Sequence, residues 1–382
     1  MRLELLRYYG SRGLRVEKAY MQYIWDHEGR RYLDLHTGHG VAFLGHNNPR
    51  VVERLERQLR SLLVCNPSFE CGVQEEALEK LSRIAPEGTD TVLFANSGAE
   101  GVETALKIAW ASTGRRKVVA FRGSFHGRTL GALSVTWGPS YRRGFPVLED
   151  VVFLPFNSEP GLVEKLFPED AAAVIVEPVQ GEGGVFPAER EFLRTVERVA
   201  REKGAVFILD EVQSGFGRTG RVWAYQHYGV RPDVLVAGKA VGGGYPVSVV
   251  FTRRELAEAL RGGRHGSTYA ANPLALAAVS AAVDVLVEEN VPGRAAEAGK
   301  VFAEILEDTL EGSRSVRELR AKGLMIGVDT RFNPLPVLKC LQSRGVLALR
   351  AGVTVVRFLA PYMVTQTDME EAAHGLRECL PG

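Results

Sequence analysis

The chain has 382 residues, too many for one small domain, and two domains around a shared core are the expected organisation. Its 47 basic and 46 acidic residues leave a formal net charge of +1, which gives no overall field to recruit nucleic acid or an anionic membrane. Apolar runs such as 171–176 and 274–279 fall far short of a membrane span, and Met1 leads straight into charged sequence without a signal-peptide core, so a cytoplasmic protein is expected. Cys65, Cys71, Cys340 and Cys379 show neither C-x-x-C nor Cys/His spacing, which predicts reduced thiols rather than disulfides, and no metal site.

From Leu14 the sequence alternates and turns at Glu28-Gly29, the pattern of a small antiparallel β unit. An amphipathic helix begins at Pro49 and runs through Val51, Leu55, Leu59 and Leu62. Strand patterns follow over 91–95, 117–121, 151–154, 173–176, 206–209, 234–237 and 247–251, with helical patterns over 75–84, 101–113, 189–203 and 273–287. Repeated β-α alternation predicts an α/β fold, a mainly parallel mixed sheet covered by helices. After Val291-Pro-Gly the pattern changes to a helix over 294–310, strands over 325–330 and 353–358, and a helix over 367–379. The expected division is an N-terminal segment 1–48 joined to a small α+β domain at 292–382, with a large α/β domain at 49–291 between them.

Two of the strands end in polar chemistry. Val206-Phe-Ile-Leu-Asp210 delivers a carboxylate, and Val234-Leu-Val-Ala-Gly-Lys239 delivers an amine ahead of a glycine cluster. Only ten of the 47 basic residues are lysines, and Lys239 alone lies between an apolar strand and such a cluster. An acid at one strand end can hold a pyridine nitrogen protonated; a lysine at another can form a Schiff base with an aldehyde. Pyridoxal phosphate (PLP) needs both from a protein. Glu211 competes with Asp210 for the first role, but Asp210 is the last residue of the apolar run. A helix N-cap for Asp210 and a snorkelling surface position for Lys239 are the structural alternatives. Asn96-Ser-Gly-Ala-Glu-Gly101 follows a strand and opens a helix, where bare backbone N–H groups meet a phosphate, or where Ser97 is an ordinary cap. Ala240 after Gly238-Lys239 rules out a Walker loop, and no G-x-G-x-x-G follows the first strand.

Taken in order, Ser97-Gly-Ala-Glu100, Phe125-His-Gly-Arg-Thr129, Glu177-Pro-Val-Gln-Gly-Glu-Gly-Gly184, Leu209-Asp-Glu-Val-Gln213, Gly217-Arg-Thr-Gly220, Gly238-Lys239 and Gly266-Ser-Thr-Tyr269 resemble the class III aminotransferases of PLP fold type I. The resemblance spans nearly the whole chain. It implies that Lys239 is the Schiff-base lysine, Asp210 the pyridinium partner and Gln213 the contact of the phenolic oxygen. Ser97, Gly98 and Ala99 would cradle the phosphate, and Phe125 would stack on the ring. Thr268 would reach the phosphate of the neighbouring subunit in an obligate homodimer.

On the substrate side, Phe125-His-Gly-Arg128 resembles the acetylornithine and ornithine aminotransferase branch, which implies that Arg128 clamps a donor carboxylate. Arg357 would bind the α-carboxylate of 2-oxoglutarate or glutamate, and Glu182 would cover it while the long donor is present. Ser267 would touch the donor, with Tyr9 and His39 lining the mouth of the pocket. The stretch His36-Thr-Gly-His-Gly40 to His46 looks most like the lysine-biosynthesis members. They act on lysine, and often ornithine, carried on the C-terminal glutamate of a small acidic carrier protein. Arg2, Arg7, Arg12, Arg15 and Lys18 form a basic set that could receive such a carrier. N-acetylornithine is the alternative donor, with ornithine, GABA and a glutamate-1-semialdehyde-type aminomutase behind it.

Overall fold

The computed structural model describes residues 3–66 and 68–381. Its centre is a seven-stranded sheet in the order Thr91–Ala95, Ser248–Thr252, Val234–Ala237, Val206–Asp210, Ala171–Val176, Lys117–Phe121 and Val151–Leu154. The four strands from Val151–Leu154 through Val206–Asp210 pair in parallel, as does Val234–Ala237 with its neighbour. Ser248–Thr252 runs antiparallel to both of its neighbours, so the sheet is mixed and mainly parallel. Alternation of side chains explains why helices cover both faces. In Val206–Asp210, Val206 and Ile208 pack with Val102 and Ile108 of the Gly98–Thr113 helix. Phe207 and Leu209 face the other way, onto Phe192 and Val196 of the Arg190–Glu202 helix. Every residue of this strand is buried, so it carries no polar side chain until its last position.

A second, antiparallel sheet joins Val316–Lys322, Met325–Thr330, Val355–Leu359 and Leu349–Ala351. The N-terminal strands Val16–Tyr20, Tyr23–Asp26 and Arg31–Asp34 form a third sheet whose fourth strand is Val346–Leu347, which ties the start of the chain to its C-terminal part. The Pro49–Ser61 helix starts where expected, with Asn48 Oδ1 accepting from Arg50 N–H at 3.1 Å and Pro49 in the first turn. Its expected apolar stripe is only partly covered. Val51 is buried, but Leu59 is 54% exposed, and Leu63 and Val64 continue the uncovered surface.

One expectation is corrected. Cys340, in the Leu335–Ser343 helix, and Cys379, ending the Gln366–Cys379 helix, form a disulfide with Cα atoms 5.7 Å apart. Val337 and Leu341 of one helix share a core with Met369, Ala372 and Leu376 of the other, and that packing brings together two cysteines 39 positions apart. Cys65 and Cys71 are free thiols. Among the described residues no helix is long and apolar enough to cross a membrane.

Candidate active site

Parallel strands end at one edge of the sheet, and ligands of open α/β sheets collect at that carboxyl edge. Asp210 ends its strand there, 4% exposed, and its Oδ2 meets His126 Nδ1 at 2.7 Å. A carboxylate only accepts, so the imidazole nitrogen is the donor. His126 Nε2 is buried with no hydrogen-bond partner among the described residues. Asp210 Oδ1 accepts from the Val212 N–H at 3.0 Å, which fixes the plane of the carboxylate.

Lys239 opens a short 3-10 turn just after the Val234–Ala237 strand, at φ 47. A left-handed backbone is costly for a long side chain and persists only where the surroundings impose it. Burial is the largest influence on its amine and pushes it below the ordinary lysine range, against the pull of Glu182 and Asp210.

Gly98 begins the 16-residue Gly98–Thr113 helix, with Ser97 Oγ accepting from Glu100 N–H at 3.3 Å. A Cβ on Gly98 would sit 2.7 Å from Val212 Cγ1, so only glycine lets this helix end lie so close to the residue that follows Asp210-Glu211. Phe125 is held through its backbone, donating to Glu177 Oε1 at 2.9 Å, and its ring meets Tyr141 edge-on at 5.5 Å. Glu177 also accepts from Gly181 N–H at 3.3 Å through Oε2. Burial pushes the Glu177 carboxyl up to about 7, against His126 and with Asp210.

At the other end of the pocket Arg357, fully buried in the Val355–Leu359 strand, donates through Nη2 to Glu182 Oε1 at 2.7 Å and through Nη1 to Gln213 Oε1 at 2.9 Å. Gln213 Nε2 makes only a 3.4 Å contact with Glu182 Oε1. Burial works to raise the Glu182 carboxyl, but Arg357 and Lys239 outweigh it and hold it at about 2. His39 Nδ1 lies 4.0 Å from Glu182 Oε1. Arg128 is exposed, donates to Tyr9 Oη at 3.1 Å, and lies over the rings of Tyr9 and Tyr141 at 5.1 and 5.5 Å. Ser267 Oγ accepts from Asn96 Nδ2 at 3.0 Å, beside the helix end, and Thr268 stands exposed next to it.

Thus Lys239, Asp210, Glu182, Gln213 and Arg357 are brought together, while Arg128 and Tyr9 stand at the mouth and Thr268 faces outward. His126 and Glu177 had no role in the sequence reading, although each lies inside a quoted motif. What singles them out is burial without charge neutralisation nearby in sequence. The basic N-terminal set is smaller than expected. Arg12 is spent within the chain, donating to Ala348 O at 2.8 Å and Gln342 Oε1 at 3.0 Å. Arg15 pairs with Glu17, Arg7 donates to Ser11, and Lys18 lies over Trp25. Arg2 lies outside the described residues. The donor set suits PLP: a buried lysine with a lowered pKa, a buried carboxylate backed by a histidine, and a bare helix end opened by glycine. Among the described residues no cluster of His, Cys, Asp or Glu is arranged to hold a metal.

The family described as Aminotransferase class-III matches residues 8–380. The LysW-aminoadipate semialdehyde/glutamate semialdehyde transaminase of Sulfurisphaera tokodaii is 52% identical over 377 residues, covering 98% of this chain and 97% of that protein. The acetylornithine aminotransferase of Archaeoglobus fulgidus is 42% identical over 369 residues, covering 96% of each. Among solved structures, an ornithine aminotransferase from Toxoplasma gondii with partially occupied PLP superposes with a TM-score of 0.92 at 31% identity, covering 98% of this chain and 91% of that one.

Proposed function

The chain belongs to the class III aminotransferases, PLP-dependent enzymes of fold type I, and from that premise we propose that it moves the terminal amino group of a carrier-linked lysine or ornithine to 2-oxoglutarate. The products are the corresponding semialdehyde and glutamate. Lys239 would bind the cofactor, Asp210 would keep its ring nitrogen protonated, and Ser97, Gly98 and Ala99 would hold the phosphate at the helix end. Phe125 would lie on the ring, and Gln213 Nε2, with only its long contact to Glu182, would meet the phenolic oxygen. Bound there, PLP supplies an electron sink for the carbon next to the transferred nitrogen. Lys239 Nζ then carries the proton from that carbon, a task that its lowered basicity suits.

The buried Arg357–Glu182 pair carries the reading. One pocket must accept a dicarboxylate whose α-carboxylate adjoins the reacting carbon, and a long donor whose reacting carbon has no such neighbour. Glu182 neutralises Arg357 for the donor and yields it to 2-oxoglutarate. Arg128, at the mouth with Tyr9, is placed for the donor's far carboxylate, and Ser267 for its chain. The carrier-linked donor is supported by the named activity of the Sulfurisphaera tokodaii relative. N-acetylornithine, which the Archaeoglobus fulgidus relative favours, is the second reading. The active form is a homodimer in which Thr268 reaches the partner's phosphate site. The uncovered Leu59, Leu63 and Val64, with Tyr269 70% exposed beside Thr268, supply an apolar surface for that contact.

A coupled glutamate-release assay tests the choice of donor with carrier-linked lysine, N-acetylornithine, free ornithine and GABA. The highest kcat/KM is expected for the carrier-linked substrate. A higher value for N-acetylornithine, free ornithine or GABA would refute the carrier reading.

A further inference from the structure

Glu182 has more than one neighbour in the pocket. Its Oε1 lies 2.7 Å from Arg357 Nη2 and 4.0 Å from His39 Nδ1, so the imidazole is the nearest basic group after the arginine itself, with Lys239 farther off. His39 is not placed there casually. Thr37, Gly38 and His39 all take left-handed backbone at φ 46, 58 and 58, a run that only a surrounding structure sustains. Thr37 Oγ1 anchors the turn by donating to Leu359 O at 2.8 Å, on the strand that carries Arg357. Arg218 adds a second tie, donating to Gly40 O at 2.6 Å and to Ala360 O at 3.3 Å. The ring of His39 is then wedged between His36, centroids 4.8 Å apart, and Tyr9, at 5.4 Å.

When a substrate carboxylate takes Arg357, Glu182 is left as a mostly buried anion. Such a charge needs a new partner within reach. Gln213 can give it one neutral hydrogen bond, whereas His39 can give it a charge.

We propose that His39 is the receiving partner of Glu182 in the 2-oxoglutarate-bound state: the carboxylate turns from Arg357 onto the imidazole, which takes a proton from solvent to receive it. This rests on the assignment of Glu182 and Arg357 as a switch. The groups facing His39 are Glu182 on the 181–184 turn, Arg357 on the Val355–Leu359 strand, and Lys239. Arg128 at the pocket mouth, His36 on its own turn and Tyr9 from the N-terminal segment complete the set. While Glu182 is shared with Arg357, burial above all, then the three cations, keep the imidazole below its ordinary value and neutral near pH 7, against the pull of Glu182. Losing Arg357 to a ligand carboxylate leaves His39 as the basic side chain nearest to the Glu182 charge, with Lys239 farther off, which reverses that balance and couples binding to proton uptake. Affinity for the dicarboxylate therefore falls as pH rises between the free-state and the bound-state pKa of His39, by up to about tenfold per pH unit for one proton, and levels off above the latter.

Isothermal titration of the holoenzyme with glutarate, which has both carboxylates of 2-oxoglutarate but no keto group to react, measures this directly. Titrations from pH 6 to 8.5, in buffers of differing ionisation enthalpy, give the protons taken up per site. The wild type should take up protons with a pH-dependent affinity. His39→Asn, whose side chain tolerates left-handed backbone, should bind glutarate more weakly with no uptake and a flat pH profile. Glu182→Gln should tighten glutarate binding and also lose the uptake. Unchanged glutarate affinity in Glu182→Gln would overturn the switch and this inference with it. Tighter binding in Glu182→Gln together with wild-type uptake in His39→Asn would leave the switch standing and overturn the role of His39. Uptake that persists in Glu182→Gln would also overturn it, because His39 would then be sensing the ligand rather than Glu182.

Discussion

Replacing Glu182 with glutamine keeps the shape of the side chain and removes its charge from Arg357. The carboxyl is held at about 2 where an ordinary one lies at 4.5, and Glu182 is mostly buried, with its side chain 23% exposed. That difference corresponds to about 3 kcal/mol favouring the ionised form, net of burial, with Arg357 the largest attraction and Lys239 the next, so a carboxylate competing for Arg357 displaces part of it. Glutamine still hydrogen-bonds to Arg357 and returns part of it, so 2-oxoglutarate should bind about ten- to a hundredfold more tightly to Glu182→Gln. The donor half-reaction should move the other way, because an uncovered buried guanidinium captures glutamate and leaves an uncompensated charge beside the donor chain. Stopped-flow absorbance of the cofactor separates the halves: the donor is mixed with one form of the enzyme, 2-oxoglutarate with the other. An unchanged 2-oxoglutarate dependence, or equal slowing of both halves, would refute the reasoning.

Asp210→Asn should retain the cofactor absorbance but slow proton transfer by about two to four orders of magnitude, because a neutral amide does not hold the ring nitrogen protonated. Near-normal turnover would assign that control to another residue. Closing a loop of 39 residues with the Cys340–Cys379 disulfide should stabilise the fold by about 4 kcal/mol in the chain-entropy account. A reducing agent should therefore lower the denaturant midpoint of the wild type and leave that of Cys340→Ser/Cys379→Ser unchanged; equal midpoints for all would contradict the bond. Burial raises the carboxyls of Glu177 to about 7 and Glu211 to about 8, so between 4.5 and those values the folded chain holds protons that the unfolded chain has lost. Their contribution to stability falls with pH across that window. Burial holds His36 and His227 down to about 4, and their opposing contribution is mostly in place by pH 6.5 and levels off about one unit higher, where the two acids still titrate. The thermal midpoint of the cofactor-free protein should thus drop from pH 6.5 to 8, and a flat or rising midpoint would contradict the burial of these acids.

The central sheet was legible because its inner strands are buried on both faces, which makes them continuous apolar runs ending in polar residues, and its half-buried edge strands are apolar as well. Thr91–Ala95, Lys117–Phe121, Val151–Leu154 and Val234–Ala237 begin and end where the pattern places them. Val316–Lys322 went unread because its sequence is mostly polar and half exposed; its inward Arg320 is buried by donating to Gly184 O and lying over Phe186. Lys239 and Asp210 could be singled out as candidates from their own neighbours in sequence. The His126–Asp210 pair could not, because 84 positions separate the two and only strand order sets their distance. The disulfide was misread for the same reason: helix packing, not spacing, joins Cys340 to Cys379. Arg12 looked like free surface charge until the carbonyl of Ala348 and the side chain of Gln342 appeared beside it.

Lys239 is the proposed point of PLP attachment, and every other proposed role in the pocket depends on it. Borohydride reduction of the yellow holoenzyme fixes the cofactor to whichever amine holds it, and peptide mapping then reads the site among the ten lysines. The label should fall on the peptide containing Lys239, with Lys239→Ala giving none at that position and losing turnover by several orders of magnitude. A label on any other lysine of the wild type, or an enzyme that reduction leaves unlabelled, would contradict the assignment.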